Sequence, residues 1–405
     1  MAAIKSAAYL TGAGALMLSS VACAQTAEPV AQGIKNVPEF EPAFPEQTRA
    51  PAAPSDVTLA QETIADGLVH PWGVAVLPDG GYLVTERPGR LRVISANGTV
   101  SDPIEGLPDL VAQKQGGLLD IAVDPNFATD RMIYWTYSKP LGDGMSGTAA
   151  ARGRLSEDNR EVTEVQDIFV QEPPSPDPMH YGSRIVLDGA GTAYVTTGEH
   201  FTMDQRVYAQ DLDKTYGKVV RVNLDGSTPY DNPFVAQDGA IETIWSYGHR
   251  NIQGAAMRPE TNEFWLVEHG PQGGDELNKV EAGKNYGWPV VSYGETYQGN
   301  PVGEGVPRKD GMEEPRYYWD PVIAPGGMIF YDGEMFPDWQ GDVFIASLVD
   351  GKLVRLEMSA DTVVGEERLL DGQARVRDVA IDIDGGLLIL TDEENGALIK
   401  LTPQG

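Results

Sequence analysis

Short apolar runs occur in pairs along the chain, and the paired pattern repeats six times. Each repeat has a small or polar start, an apolar run, a turn containing Asp, Pro or Gly, and a second apolar run. Paired short runs separated by such turns are typical of β-hairpins. The repeats begin 44 to 72 residues apart, at Trp72, Gly116, Gly182, Gly254, Gly326 and Asp378. A four-stranded blade takes about 40 to 50 residues, so the pattern predicts an all-β fold, a six-bladed β-propeller with four-stranded antiparallel blades.

A further apolar segment, VTLAQETIA, precedes the first repeat and begins at Val57. We expect this segment to pair with the last blade and close the ring, which places the propeller domain at residues 57–405. A β-sandwich or a pair of β-domains is the alternative arrangement of the same hairpins.

The first 24 residues have the pattern of a signal peptide. Lys5 supplies the positive charge, an apolar stretch follows, and Ala22–Ala24 is a small-residue cleavage site. We therefore expect a periplasmic or secreted protein. The alternative is a lipoprotein attached through Cys23, the only cysteine of the chain, although Ser20 suits a lipoprotein signal poorly.

Residues 25–56 contain six prolines, six alanines and five acids. This composition predicts an extended tether without packing of its own. No apolar run after the signal peptide reaches the roughly 20 residues that a transmembrane helix needs.

Size and charge restrict the function. A chain of 405 residues, of which 41% are hydrophobic, can bury a large core. Its formal net charge of -30 disfavours binding to nucleic acid or to an anionic membrane. An anionic ligand would need cations gathered locally around its site.

Polar side chains recur at one position of the repeat, directly before its first apolar run. The innermost strand of a propeller blade lines the central channel, so residues before that strand lie at one mouth of the channel. We expect these residues to share one site: His70, Gln115, His180, Arg250, Asn251, Gln253, Trp319, Arg375 and Arg377.

Several motifs carry a resemblance to a known family. The segments HYGSRIVLD, YGKVVRVNLDGS, GHRNIQG, EHGPQGGDELN, NYGWP and ARVRDVAID resemble the soluble aldose and glucose dehydrogenases that use pyrroloquinoline quinone (PQQ). The resemblance extends from near Val57 almost to the C-terminus, and the motifs stand in the family's order. It implies a six-bladed propeller, in agreement with the repeat count.

The resemblance implies how PQQ, a planar quinone with three carboxylates, is bound. Guanidinium groups suit carboxylates and quinone oxygens because they donate two parallel hydrogen bonds. Trp319 is expected to stack on the quinone ring. The other expected cofactor contacts are Arg250, Asn251, Gln253, Arg375 and Arg377.

The segment GPQGGDE resembles the family's calcium turn. The resemblance implies that the backbone carbonyls of Gly270 and Pro271 hold a calcium ion that also binds the cofactor, with Asp275 supporting the turn. Calcium accepts such carbonyl ligands readily and would act as a Lewis acid. Glu276 and the Tyr286 carbonyl are expected to belong to a second, structural calcium site.

His180 matches the catalytic base of the family. A neutral imidazole can accept a hydroxyl proton, and the implied reaction oxidises an aldose at its anomeric carbon to an aldonolactone, with hydride passing to the quinone. Gln115 is expected to help orient the sugar. Among the other histidines, His70 lies at the same channel mouth, and His200 follows a strand end where we expect exposure.

One position departs from the family pattern. The family has a lysine near the quinone oxygens in an SLK segment, whereas Val349 stands at that position here and Lys352 follows three residues later. Two other functions therefore stay open: a calcium-dependent propeller lactonase or hydrolase, and a non-catalytic extracellular binding propeller. The preferred sugar, the electron acceptor and the oligomeric state do not follow from the sequence.

Overall fold

The structure is a computed structural model that describes residues 27–370, 372 and 374–404. The predicted signal peptide and Cys23 lie outside the described residues. Within this part of the chain the regular structure is almost entirely β, in 23 strands that form six antiparallel sheets.

The first three sheets follow one another along the chain. Strand β1 (Leu59–Leu68) comes before them and belongs to the last sheet. The strands of these sheets are β2 (Pro71–Val76), β3 (Tyr82–Glu86) and β4 (Arg90–Ile94) in blade 1, β5 (Leu118–Val123), β6 (Met132–Pro140), β7 (Ser146–Leu155) and β8 (Val162–Val170) in blade 2, and β9 (Gly182–Leu187), β10 (Thr192–Thr197), β11 (Lys218–Asn223) and β12 (Ile244–Tyr247) in blade 3.

The last three sheets have the same order. Their strands are β13 (Ile252–Met257), β14 (Phe264–Glu268), β15 (Asp275–Val280) and β16 (Tyr317–Trp319) in blade 4, β17 (Pro325–Phe330), β18 (Val343–Ser347), β19 (Leu353–Ser359) and β20 (Thr362–Leu369) in blade 5, and β21 (Val376–Ile381), β22 (Leu387–Thr391) and β23 (Gly396–Pro403) in blade 6. The helical elements are single turns, at Pro45–Gln47, Phe127–Asp130, Met203–Arg206, Val207–Gln210 and Pro337–Trp339.

The six sheets form a closed ring. The first strand of each blade contacts the first strand of the next, and β21 of blade 6 contacts β2 of blade 1. Strand β1 pairs with β23, from Leu59 opposite Pro403 to Leu68 opposite Gly396, and completes blade 6. The six-bladed propeller and its closure by the segment from Val57 are thus confirmed.

Blade 1 differs from the prediction of four strands in every blade. It has three regular strands, and only an isolated bridge between Ile94 and Val100 stands where the fourth strand would be. The sequence ANGTVSDPIEG at this edge is rich in Gly, Pro, Asn and Asp, which favour turns over a continued strand.

The hydrophobic core lies between neighbouring blades. One cluster joins Trp265 and Leu277 of blade 4 to Phe330 and Ile345 of blade 5, and equivalent clusters occur between other neighbouring blades. Sheets that bury both faces against their neighbours explain why the second strands of blades 1, 4 and 6 are buried at every position.

The innermost strands approach each other closely around the channel. A Cβ atom at Gly254 would lie 2.4 Å from the Gly326 carbonyl oxygen, and one at Gly326 would lie 2.2 Å from the Arg377 carbonyl oxygen. Such contacts are too short for any side chain. The small residues that begin the repeats therefore allow the ring to close tightly at the channel mouth.

The prediction of an unpacked tether for residues 25–56 is wrong. Residues 29–56, which we call the N-terminal strap, lie along the outer edges of blades 4 and 5. Val37, Gln47 and Ala50 are buried, and Gln47 Nε2 donates to Glu314 Oε2 and to the Pro315 carbonyl, both at 3.0 Å. Composition alone missed this packing because the strap is extended, and its few polar side chains satisfy buried groups far away in sequence.

No helix in the described part of the chain is long and apolar enough to span a membrane.

Candidate active site

A cavity of about 450 Å³ lies at the channel mouth, where the innermost strands begin. The structure brings six of the nine residues that were expected to share one site together in its lining: His70, Gln115, Asn251, Gln253, Arg375 and Arg377. They come from four different blades, so residues from this position of the repeat converge in space.

Two arginines give this cavity its positive charge. Arg377 Nη1 donates to Gln253 Oε1 at 3.1 Å and Nη2 donates to Asp392 Oδ2 at 2.6 Å, whereas its buried Nε has no hydrogen-bond partner. Arg375 is half exposed, and its Nη1 donates to the Leu348 carbonyl at 3.1 Å. Donor capacity thus remains for a ligand with acceptor oxygens.

Asp392 balances part of this charge. Its Oδ1 lies 3.0 Å from His70 Nδ1, and its Oδ2 accepts from Arg377. Burial alone would raise the pKa of Asp392, but Arg377 and the hydrogen bonds hold it at about 2. A carboxylate that is ionised at all ordinary pH values keeps the Arg377 guanidinium fixed at the cavity wall.

The aromatic side chain at this cavity is not the predicted one. Trp319 lies on β16, the outermost strand of blade 4, where it is fully buried and its Nε1 donates to Glu366 Oε1 at 3.3 Å. The stacking role predicted for Trp319 is therefore wrong. Trp72, at the start of the first repeat, lines the cavity instead, and the guanidinium carbons of Arg184 and Arg377 lie 4.5 and 5.8 Å from its ring centroid.

His180 is paired with a buried carboxylate that sequence reasoning missed. Its Nδ1 lies 2.8 Å from Glu199 Oε1, and its backbone N–H donates to Gln115 Oε1 at 2.8 Å. No residue that the structure describes hydrogen-bonds to His180 Nε2. A carboxylate at Nδ1 favours the tautomer with the proton on Nδ1, so Nε2 keeps a lone pair that can accept a proton.

The protonation states of this pair follow from burial. Burial lowers the pKa of His180 well below its ordinary value, and Arg250 and Arg206 lower it further, so the imidazole is neutral. Burial raises the pKa of Glu199 to about 7, although the same two arginines oppose this. Neutral imidazole is the form in which His180 can act as a general base.

A second cavity, of about 360 Å³, adjoins His180 on its other side. Arg250, Phe201 and Tyr297 line it, and the His180 ring meets the Phe201 ring edge-on with centroids 5.0 Å apart. Arg250 is almost fully buried and its Nε has no hydrogen-bond partner. Arg250 therefore lines a different cavity from the other predicted cofactor contacts, and His180 is in the lining of neither.

The predicted calcium turn is formed, but its groups have other partners. The Gly270 carbonyl accepts from Arg250 Nη1 at 2.7 Å. Asp275 supports the turn, since its two oxygens accept from the backbone N–H groups of Gly270, Ile323 and Ala324 at 2.7 to 2.8 Å. This arrangement does not fit calcium at the turn, because the Arg250 guanidinium lies on one of the two expected carbonyl ligands and its positive charge repels a cation there. Pro271 lines the second cavity.

Glu276, which is partly buried, forms an acidic pair with the buried Glu268. It stands opposite Glu268 across strands β14 and β15, and Asn278 Nδ2 donates to both carboxylates, at 3.1 and 3.2 Å. Burial raises the pKa of Glu276 well above its ordinary value, and the charge of Glu268 adds to this. The buried Oδ1 of Asn278 has no partner, so oxygen ligands suitable for a cation are present here.

The other predicted ligand, Tyr286, is also buried. Its hydroxyl donates to the Lys279 carbonyl at 2.7 Å, and its ring stacks on His249 with centroids 4.6 Å apart. No group of three or more His, Cys, Asp and Glu side chains arranged to hold a metal occurs among the residues that the structure describes.

Two further expectations concern Lys352 and His200. The cavity lining does not include Lys352, whose Nζ lies 3.8 Å from Asp350 Oδ2. His200 is fully buried rather than exposed, because its ring nitrogens bind Gln171 and the Asp177 carbonyl.

Comparisons with known proteins agree with this architecture. A family model described as "Glucose / Sorbosone dehydrogenase" matches residues 68–400. The chain is 44% identical over 356 residues to "Aldose sugar dehydrogenase YliI" of Escherichia coli, covering 87% of this chain and 95% of that protein.

Solved structures are similar too. The apo-form of the soluble aldose sugar dehydrogenase of Escherichia coli superposes with a TM-score of 0.82 at 43% identity, covering 86% of this chain and 100% of that chain. The PQQ-bound form of an aldose sugar dehydrogenase from Streptomyces coelicolor gives a TM-score of 0.69 at 26% identity, with the same coverage.

The His180–Glu199 pair yields a prediction that needs no ligand. Above pH of about 7 the Glu199 carboxylate accepts from Nδ1–H, and below it the protonated carboxyl can donate to Nδ1 and move the imidazole proton to Nε2. We predict that ¹⁵N NMR of labelled histidine shows this tautomer change near pH 7 for His180. Glu199→Gln should abolish the change, whereas His249, which is paired with Glu268, serves as an unaffected internal control. A His180 spectrum that is the same in both proteins across this pH range would refute the assignment.

Proposed function

The chain belongs to the glucose/sorbosone dehydrogenase family, and we propose that it oxidises aldose sugars at the anomeric carbon to aldonolactones, with PQQ as its cofactor. The protein is an oxidoreductase of the sugar dehydrogenase type. The observation that carries the proposal is the neutral His180, oriented by Glu199 and hydrogen-bonded through its backbone to Gln115, which lines the cavity with the two arginines.

The first cavity fits PQQ in charge and in donor chemistry. PQQ brings three carboxylates, and Arg375 and Arg377 offer guanidinium donors, including a buried Nε without a partner. Gln253 and Asn251 add amide groups to the same wall. When bound, PQQ supplies a two-electron acceptor for the carbon that is oxidised.

His180 performs the proton transfer in this proposal. Its Nε2 takes the proton of the anomeric hydroxyl, and Glu199 stabilises the imidazolium that forms. Gln115 holds the His180 backbone through Oε1, which leaves its amide nitrogen for the sugar. The Arg250 guanidinium, buried next to His180, stabilises negative charge on the sugar oxygen as the proton leaves.

We further propose a structural calcium ion at Glu268 and Glu276. Two adjacent carboxylates, of which Glu268 is buried, are unfavourable when both are ionised without a cation, and the unpartnered Oδ1 of Asn278 supports an additional oxygen ligand. At the turn, calcium could bind the Gly270 carbonyl only after Arg250 has released it.

The proposal also concerns the location of the protein and the electron acceptor of its cofactor. Residues 1–24 support export to the periplasm or beyond, with attachment through Cys23 as the alternative. The substrate is a small sugar, and the acceptor that reoxidises the cofactor is unknown.

The activity itself is tested by reconstitution. Cofactor-free protein is supplied with PQQ, calcium, an artificial electron acceptor and several aldoses, and lactone formation is measured. Lactone hydrolysis without PQQ would indicate the lactonase alternative, and PQQ binding without turnover would indicate a binding propeller.

For the same assay we predict that His180→Asn lowers turnover at least about a hundredfold while PQQ binding stays nearly unchanged, because a positioned base is lost and the cofactor contacts remain. PQQ affinity is measured by titration of both proteins. Near wild-type turnover in the variant at saturating PQQ would make the base assignment wrong and would leave His70 as the next candidate.

Calcium removal gives a separate prediction. A ligand at about 100 times its dissociation constant adds about 2.7 kcal/mol to the free energy of unfolding. Calcium should therefore raise the unfolding temperature of chelator-treated protein, and Glu276→Gln should abolish that rise. Glu313→Gln, at an exposed carboxylate paired with Lys284, is the matched control. An equal calcium effect in all three proteins would place the ion elsewhere.

A further inference from the structure

The N-terminal strap reaches the active-site turn through a buried carboxylate, Asp320. Only 1% of the Asp320 surface is exposed. Its oxygens accept from Asn36 N at 2.9 Å, from Asn36 Nδ2 at 2.7 Å and from Val37 N at 3.0 Å. Among the described residues these strap groups are its only hydrogen-bond donors, so the strap alone compensates this buried charge.

Asp320 in turn lies against the turn that follows β14. A Cβ atom at Gly273 would lie 2.7 Å from Asp320 Oδ1, and Gly274 N donates to the Trp319 carbonyl at 2.8 Å. Gln272 Nε2 also donates to Asn36 Oδ1 at 3.3 Å. The Asn36 side chain therefore contacts the turn both directly and through Asp320.

The far side of the same turn holds Arg250. The carbonyls of His269 and Gly270 accept from Arg250 Nη1 at 2.9 and 2.7 Å. Strap, turn and guanidinium thus form one continuous set of contacts from the outside of blade 4 to the side of His180. The family model matches residues 68–400, so the strap lies outside the residues that this model matches.

We propose that Asn36 is a positioning residue, which holds the turn of residues 269–274 and thereby fixes His269 in the wall of the first cavity and Arg250 beside His180. This inference rests on the proposed function for its effect on ligands, but its effect on the turn does not depend on any ligand.

The test compares two strap variants, each of which loses the hydrogen bonds of one side chain. Asn36→Ala removes the contacts to Asp320 and Gln272. Ser55→Ala is the matched control, because Ser55 Oγ donates to Glu367 Oε1 at 3.0 Å on blade 5, where the strap also packs. Hydrogen exchange of the cofactor-free proteins and PQQ affinity are measured together with thermal unfolding.

We expect Asn36→Ala to speed amide exchange in the segment 269–275 at least about tenfold and to weaken PQQ binding at least about fivefold, since the loosened turn includes His269, which lines the first cavity. Ser55→Ala should change neither. Equal exchange in the two variants, or equal loss of stability without a change at the turn, would overturn the proposal.

The same measurements distinguish a failure of the proposed function from a failure of the positioning role. If wild-type protein does not bind PQQ, the cofactor assignment is wrong, whereas the exchange comparison still decides whether Asn36 holds the turn. If wild-type protein binds PQQ and Asn36→Ala binds it equally well with an unchanged turn, the positioning role alone is wrong.

Discussion

A buried cation between two carboxylates holds the innermost strands of this propeller together. Arg184 Nη1 donates to Asp120 Oδ1 at 2.9 Å and to Asp378 Oδ1 at 3.0 Å, and its Nε and Nη2 donate to the Gln253 carbonyl. These groups come from blades 3, 2, 6 and 4. The second oxygens of the two aspartates accept from the backbone N–H groups of Ile185 and Val74, so blade 1 is included as well.

The site at the channel mouth depends on this arrangement. Burial raises the pKa of Asp120 to about 6 even though Arg184 opposes it, so the cluster is stable only while the guanidinium is in place. The Gln253 carbonyl accepts from Arg184, and Arg377 directly precedes Asp378 in the chain. The Trp72 ring packs against the Arg184 guanidinium. Because Arg184 and the two aspartates hold the innermost strands in place, they also hold the side chains that these strands carry. A chain with a net charge of -30 thereby keeps a positively charged pocket.

The sequence predicted most of the fold and much of the site, because the position of a residue in the repeat determines its position in a propeller. The turns and apolar runs located the hairpins, and the residues before each inner strand met at one mouth. The rule failed at Trp319, which also precedes a repeat. Trp319 is the last residue of β16, and residues 320–324 separate it from β17. Trp319 therefore lies on the outer edge of blade 4. Glu199, Asp320 and the strap could not be found from local pattern, since their significance lies in contacts between distant segments.

The central claim is that the arginine-lined cavity at the channel mouth binds PQQ. It is tested most directly by an equilibrium titration of PQQ into cofactor-free wild-type protein, Arg377→Ala and Arg160→Ala, where Arg160 is a highly exposed arginine on blade 2. The account predicts one saturable site per chain, at least about tenfold weaker binding for Arg377→Ala because a charge-assisted contact is lost, and unchanged binding for Arg160→Ala. Absence of saturable binding, or equal affinity in all three proteins, would contradict it.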